Sequence, residues 1–309
     1  MIVAILNYLW IITLMRNYKK VMIPLIAVSA LTLAACSSED HSSSDMSSEV
    51  SSEMQGSMGD AMDMSDMELG AEPHGHMIGD GTTDSVPGYS LAVNEYDENL
   101  SKITFSIAND EGEVIKDFKI KHEKPLHMIL ASTNLGEYHH VHPEMMEDGS
   151  WTVEFPRVSG GTWSMYTDFA TEDAPDGVVL RTDLDFTGDV LPYDLPEPSA
   201  LIEQDGFLIT AVSDMSADKH GSLTLTVLKD GAPVEFEKYL GENAHLVALR
   251  EGDGAYAHFH PMGHSHGDEE MDGHDHSQMG APGVIMFETE VPGPGTYLLF
   301  LEIIVEGTL

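Results

Sequence analysis

Six histidines recur in this chain at matching positions. His127, His140 and His142 stand in LHMILASTNLGEYHHVHPE (126–144), and His245, His258 and His260 stand in AHLVALREGDGAYAHFHPM (244–262). A constant offset of 118 carries each histidine of the first set onto one of the second, and also Tyr138 onto Tyr256 and Pro143 onto Pro261. Imidazole is the commonest protein metal ligand near neutral pH and suits zinc, copper and nickel. In a strand, residues i and i+2 face the same side. His140 and His142 therefore point together, as do His258 and His260, while Val141 and Phe259 turn toward the core. His127 and His245 fall on neighbouring strands and close a three-nitrogen site in each copy if the registers match. Asp168 and Glu302 also stand at equivalent positions, where each adds an oxygen ligand or orients an imidazole. The structural alternative is a His-Pro strand end that hydrogen-bonds a corner.

Two further groups of side chains could hold metal. The repeat offset grows from 118 to 134 by the time Gly161-Thr162 matches Gly295-Thr296, so the second copy carries 134 − 118 = 16 extra residues. The extra length falls in the stretch that includes GHSHGDEEMDGHDHSQM (263–279), in which His264, His266, His274 and His276 flank Asp268, Glu269, Glu270 and Asp272. A polar His-rich insertion inside a repeat belongs to a surface loop that wraps Zn²⁺, Cu²⁺ or Ni²⁺ with modest selectivity. The other group precedes the repeats, where Met62, Met64, Met67, His74 and His76 lie in Ser- and Asp-rich sequence with no core to fill. Thioether is a soft ligand suited to Cu(I) or Ag(I). Met-rich and His-rich tracts on one chain point to copper, with zinc and silver as alternatives.

The elements that must position these residues are strands. KITFSI (102–107), SWTVEF (150–155), TWSMYTDF (162–169), LRTDLDF (180–186), FLITAV (207–212), SLTLTVL (222–228), HLVAL (245–249) and TYLLFL (296–301) are short, β-rich and separated by turn residues. The expected fold is all-β, with two tandem immunoglobulin-like or cupredoxin-like β-sandwich modules at 87–190 and 200–309. A Pro-rich linker joins them at 191–199. After Glu302 only IIVEGTL remains, so the second module is expected to lack its last strand and to leave a sheet edge open.

The compartment is read from the start of the chain. A basic stretch (Arg16, Lys19, Lys20), the apolar run 21–33 and Leu33-Ala34-Ala35-Cys36 predict a lipoprotein signal peptide over 1–35, with translation starting at Met15 and lipidation at Cys36. Residues 36–86 read as a disordered tether. Cys36 is the only cysteine, which excludes disulfides, thiolate metal sites and thiol catalysis from the mature chain. All 53 acidic residues follow Cys36, and the net charge of −39 excludes nucleic acid as a partner. No nucleophile elbow, phosphate loop or zinc-protease helix occurs, so neither an enzyme nor an organic cofactor is expected.

The two His-bearing segments, followed by GTWSMYTDF and by VPGPGTYLLFLE, resemble bacterial secreted proteins with two β-sandwich modules of YtkA-like or heavy-metal-associated type, over about 87–309. The resemblance implies a non-enzymatic extracytoplasmic protein associated with metal handling. The His-rich insertion and the short C-terminus depart from that pattern. The combined expectation is a lipid-anchored cell-envelope protein that captures or buffers copper and passes it to an envelope transporter. The alternative is an immunoglobulin-like module that binds an envelope partner without metal.

Overall fold

Alternation of apolar and polar residues sets the faces of the strands. In Lys102–Ala108 the side chains of Ile103, Phe105 and Ile107 are buried while their neighbours are half-exposed, and Leu223, Leu225 and Val227 repeat this in the second copy. In this computed structural model, the described residues are 6–14, 77–97, 101–215, 220–262 and 281–307. All of them belong to one compact unit that takes in both copies of the repeat.

The strands are β1 (Leu6–Leu14), then β2 (Ser85–Val86), β3 (Tyr89–Asp97), β4 (Lys102–Ala108), β5 (Leu126–Ser132), β6 (Tyr138–Val141), β7 (Glu144–Met145), β8 (Trp151–Glu154), β9 (Gly161–Phe169) and β10 (Val178–Phe186) in the first module. The second module contributes β11 (Leu201–Gln204), β12 (Phe207–Ser213), β13 (His220–Lys229), β14 (Ala232–Pro233), β15 (His245–Arg250), β16 (Tyr256–Pro261), β17 (Val284–Glu290) and β18 (Gly295–Glu302). The first module packs sheet β10-β9-β5-β6 on sheet β2-β3-β4-β8-β7. In the second, β1-β18-β15-β16 continues through a β16–β17 pairing into β17-β13-β12-β11, with β14 beside β13. The protein is thus all-β, with two tandem β-sandwich modules.

Each module has its own core, one built around Phe105, Trp151 and Trp163, the other around Leu225, Phe259 and Phe287. A third apolar cluster joins them. It takes Ile129, Ala131, Tyr138 and Tyr166 from the first module and Val247, Leu249, Leu298 and Phe300 from the second. This explains why β5 is buried along its whole length. Met128 and Leu130 face the sandwich core, whereas Ile129 and Ala131 face the other module. β9, β15 and β18 divide in the same way.

Three expectations are revised. The first module starts before residue 87, because Ile78 and Val86 pack on its core and Ile78 bridges Val178. Asp80 accepts a hydrogen bond from the Tyr256 amide, and Gly81 (φ +67°) brings the backbone so close that a Cβ there would lie 2.7 Å from Cβ of Tyr256. The linker is not a bare spacer: Tyr193 and Leu195 pack on the inter-module cluster, and Asn134 donates to the Leu191 carbonyl. The outer edge of β18 is occupied. β1 lies antiparallel to it from Leu6↔Leu301 to Leu14↔Gly295, the position that β10 holds beside β9 in the first module. β1 falls inside the segment read as a leader. Among the described residues no helix is long and apolar enough to cross a membrane.

Candidate metal centre

The inter-module faces carry the histidines. β5 pairs with β6 in the register Met128↔Val141 and Ile129↔His140, which sets His127 across from His142. His127 shares the parity of Ile129 and Ala131, and His140 that of Tyr138, so both point at the other module. Nδ1 of His127 lies 3.0 Å from Nε2 of His140 and 3.2 Å from Nε2 of His142. The three nitrogens all lie within 4.8 Å of one another. The structure thus brings together the three histidines that the sequence placed on neighbouring strands of the first module.

The outer nitrogens fix which lone pairs face inward. Nε2 of His127 is 3.0 Å from the Lys121 carbonyl oxygen, which only accepts, so that nitrogen carries the proton and Nδ1 presents a lone pair. Nδ1 of His140 donates to Oε2 of Glu302 at 2.5 Å, which leaves Nε2 as the acceptor. Two lone pairs at 3.0 Å repel unless a cation or a shared proton lies between them. An ion 2.0–2.1 Å from each nitrogen in tetrahedral geometry holds those nitrogens about 3.3 Å apart, close to the 3.0 and 3.2 Å found. The set therefore fits one metal ion with a coordination position left over.

Both carboxylates act across the module boundary. Glu302, on β18, serves His140 of the first module, and Asp168, on β9, accepts from Nδ1 of His258 of the second at 2.6 Å. The equivalent positions of Asp168 and Glu302 in the repeat leave open which histidine each carboxylate meets, and inter-module packing decides it, because the sheets carrying the two sets lie face to face. His245 repeats the geometry of His127, with Nε2 2.9 Å from the Tyr239 carbonyl oxygen, at the position equivalent to Lys121.

A family profile matches 84–184 and 202–309 of this chain. The chain belongs to the DUF8832 family, described as a domain of unknown function. The two matched segments of the DUF8832 chain coincide with the two modules that meet at the histidines. No curated protein matches the chain. Among solved structures, a protein from Corynebacterium diphtheriae described as membrane anchored aligns at 10% identity with a TM-score of 0.21. That alignment covers 72% of the DUF8832 chain and 52% of the other, so the chain spans about half the length of that structure.

Burial favours the neutral form of His127, His142 and His245. Desolvation, reinforced by His140, pushes His127 down to about 3. His142 falls to about 2 for the same reasons, with His127 adding to the effect. Desolvation lowers His245 to about 4. Burial opposes ionisation of Asp168, but His258, with Lys121 and His127 behind it, outweighs burial and holds this carboxyl below the usual carboxylate range. Neutral imidazoles are the form that binds metal.

Other predicted ligands lie elsewhere. His258 is buried at the interface, and for His260 the backbone is placed, opposite Glu288 on β17. His264, His266, His274, His276, Met62, Met64, Met67, His74, His76 and Cys36 lie outside the described residues. One residue that sequence reasoning missed is His122. Its ring centroid lies 5.3 Å from that of His245, 5.6 Å from His258 and 5.9 Å from His127. Its Nδ1 lies 3.6 Å from Oε1 of Glu242 of the second module. His122 has no histidine counterpart in the second copy, where the offset lands on Leu240, so a search for repeated histidines passes over it.

Proposed function

We propose that this chain is a metal-binding protein whose principal site is the His127, His140 and His142 set, and that its metal is copper. The observation that carries this reading is the convergence of three imidazole nitrogens, with the outer protons of His127 and His140 committed elsewhere. All-nitrogen ligands suit copper and zinc, and copper binds such a site more tightly in the general order of divalent metals. The Met-rich tract before the modules adds soft ligands for Cu(I), which zinc does not favour. Silver is the other ion those thioethers accept.

On this reading the protein captures or buffers copper outside the cytoplasm and hands it to an envelope transporter, without catalysing a reaction. It is anchored by a lipid on Cys36, and the resemblance to YtkA-like and heavy-metal-associated secreted proteins is part of the same proposal. Processing before Cys36 removes β1 and opens the outer edge of β18.

The test is titration of the full chain with Cu(I), Cu(II) and Zn(II) against competing chelators. It is run beside a variant lacking 263–279 and beside H127N/H140N/H142N. A tight component that survives the deletion and vanishes in the triple variant supports the proposal. Binding no tighter than that of the triple variant overturns it and returns the interaction-module reading.

A further inference from the structure

An imidazole of the second module faces the first set, and strand register puts it there. β15 and β18 pair with His245 opposite Glu302. Residues opposite each other in an antiparallel pair share a face. His245 has the parity of Val247 and Leu249, and Glu302 that of Leu298 and Phe300, so both stand on the surface turned to the first module. Glu302 holds Nδ1 of His140 at 2.5 Å. The rung that orients a ligand of the first set therefore carries an imidazole of its own.

The tautomer of that imidazole suits coordination. Nε2 of His245 lies 2.9 Å from the Tyr239 carbonyl oxygen, which only accepts, so this nitrogen carries the proton and Nδ1 carries the lone pair. An outer carbonyl or carboxylate that fixes the tautomer is a regular feature of metal-bound histidine. His127 is held in the same way by Lys121.

Ring spacing places His245 at the edge of the first set. Imidazoles sharing one ion at 2.0–2.1 Å in tetrahedral array have centroids about 5 Å apart. Within the set the spacings are 5.2, 4.9 and 4.7 Å. His245 is 5.9 Å from His140 and 6.2 Å from His127. It is also near enough to His142 to add to the lowering of that residue's pKa, behind burial, His140, His127 and Lys124. The nitrogens of His127, His140 and His142 already lie within 4.8 Å of one another. His245 has about 1 Å left to close, by rotation of its side chain, to share their ion.

We propose that His245 is the fourth ligand of the ion held by His127, His140 and His142, so that one four-imidazole site is shared between the modules. This rests on the metal-binding reading above and fills the coordination position that the three imidazoles leave over. An ion closed off by four protein ligands has no open position for a reacting molecule, which suits capture and not catalysis. Metal retention also becomes tied to docking, because one ligand leaves when the modules part. Release to an acceptor then begins with the loss of His245.

The test uses the full chain with its histidine nitrogens isotopically labelled and loaded with Zn(II). Zinc is diamagnetic, accepts imidazole and disfavours the thioethers of the Met-rich tract. Long-range proton–nitrogen correlation spectra show which nitrogen of each ring is protonated, bare or metal-bound, and single His→Gln variants assign the rings. The expected result is that Nδ1 of His245 moves to the metal-bound position together with Nδ1 of His127 and Nε2 of His140. If His245 keeps its metal-free shift while His127 and His140 respond, the fourth ligand is overturned and the three-imidazole site stands. No response at His127 or His140 overturns both. H245Q supplies a second measurement, since its side-chain amide can still donate to the Tyr239 carbonyl, and a metal-free melting curve matching wild type shows that it folds. Its zinc affinity should fall at least about tenfold, the smallest usual cost of losing even an outer partner of a metal site. Unchanged affinity in H245Q overturns the fourth ligand as well.

Discussion

Oδ2 of Asp168, in the first module, lies 2.6 Å from Nδ1 of His258, in the second, and Oε2 of Glu302 lies 2.5 Å from Nδ1 of His140 with the modules exchanged. A cluster of imidazoles in a low-dielectric interface is costly unless their outer nitrogens are satisfied. For His140 and His258 the satisfaction comes from the opposite module. Packing the modules together and preparing the imidazoles for metal are therefore one event.

This crossing can be tested at Glu302. In E302Q the amide oxygen still accepts from Nδ1 of His140 but the charge is gone. In E302A both are lost. Metal affinity at the first set should fall about 10–100-fold in E302A, the usual cost of removing an outer partner of a metal-bound histidine, and by less in E302Q. Chelator competition reads this directly. Unchanged affinity in E302A would show that the second module has no part in the site.

The two equivalent tyrosines should respond in opposite ways. Oη of Tyr256 donates to Oδ2 of Asp168 at 3.0 Å, whereas the buried hydroxyl of Tyr138 has no hydrogen-bond partner among the described residues. Tyr138 keeps its ring stacked on Phe300, with centroids 4.1 Å apart. Y256F should destabilise the protein by about 1–3 kcal/mol, because it strips a donor from a buried carboxylate. Y138F removes an unsatisfied polar group and should be neutral or stabilising by about 1 kcal/mol. Urea denaturation of the metal-free variants gives both values, and equal losses would contradict the hydrogen-bond assignment.

Acid should weaken the metal-free protein well above the carboxylate range. His127 and His245 titrate near 3 and 4 when folded, against 6.5 when unfolded. As pH falls below 6.5 the unfolded chain takes up these protons first. The stability they contribute is complete above that value and is lost as pH falls toward 4. Each such proton changes stability by about 1.4 kcal/mol per pH unit, so the two together give a slope of roughly 3 kcal/mol per pH unit near pH 5. Asp168 has a lowered pKa and adds a further loss only as pH falls through its unfolded value of 3.8. Denaturation of the metal-free chain at pH 7 and pH 5 checks the slope. A flat profile would mean that these imidazoles are not buried.

Metal retention should divide along the same line. An exposed imidazole has a pKa near 6.5 and gives up metal to protons at pH 5. His127 and His142, at about 3 and about 2, do not compete with protons there. Dialysis at pH 5 should therefore remove any metal held by 263–279 and leave that of the interface. Deleting 263–279 should abolish the acid-labile fraction only. Loss of all metal from both proteins at pH 5 would count against the interface site.

Much of the architecture was legible in the chain. Alternation in KITFSI and SLTLTVL marks strands with one buried face, and the matched positions of His127 and His245 establish two modules with like-placed histidines. The i, i+2 spacing of His140 and His142 was enough to place them on one face, because strand geometry has period two. The continuous apolar runs LHMILAS and HLVALR also carried a signal, burial on both faces, which only a second packed layer explains.

Which carboxylate meets which histidine was not legible. In an internal repeat, Asp168 and Glu302 stand in equivalent positions, so pairing within a copy and pairing between copies look identical along the chain. The choice is made by the face-to-face docking of β9 and β5 on β18 and β15, which sets each carboxylate against the opposite histidine. His122 depends on tertiary structure for the same reason, since its partners lie more than a hundred residues away. By itself the sequence determined residue types, periodicity and copy number, because these follow from local backbone geometry and burial. The tertiary structure alone decided how two similar surfaces meet, because that rests on complementarity between faces that no local pattern encodes.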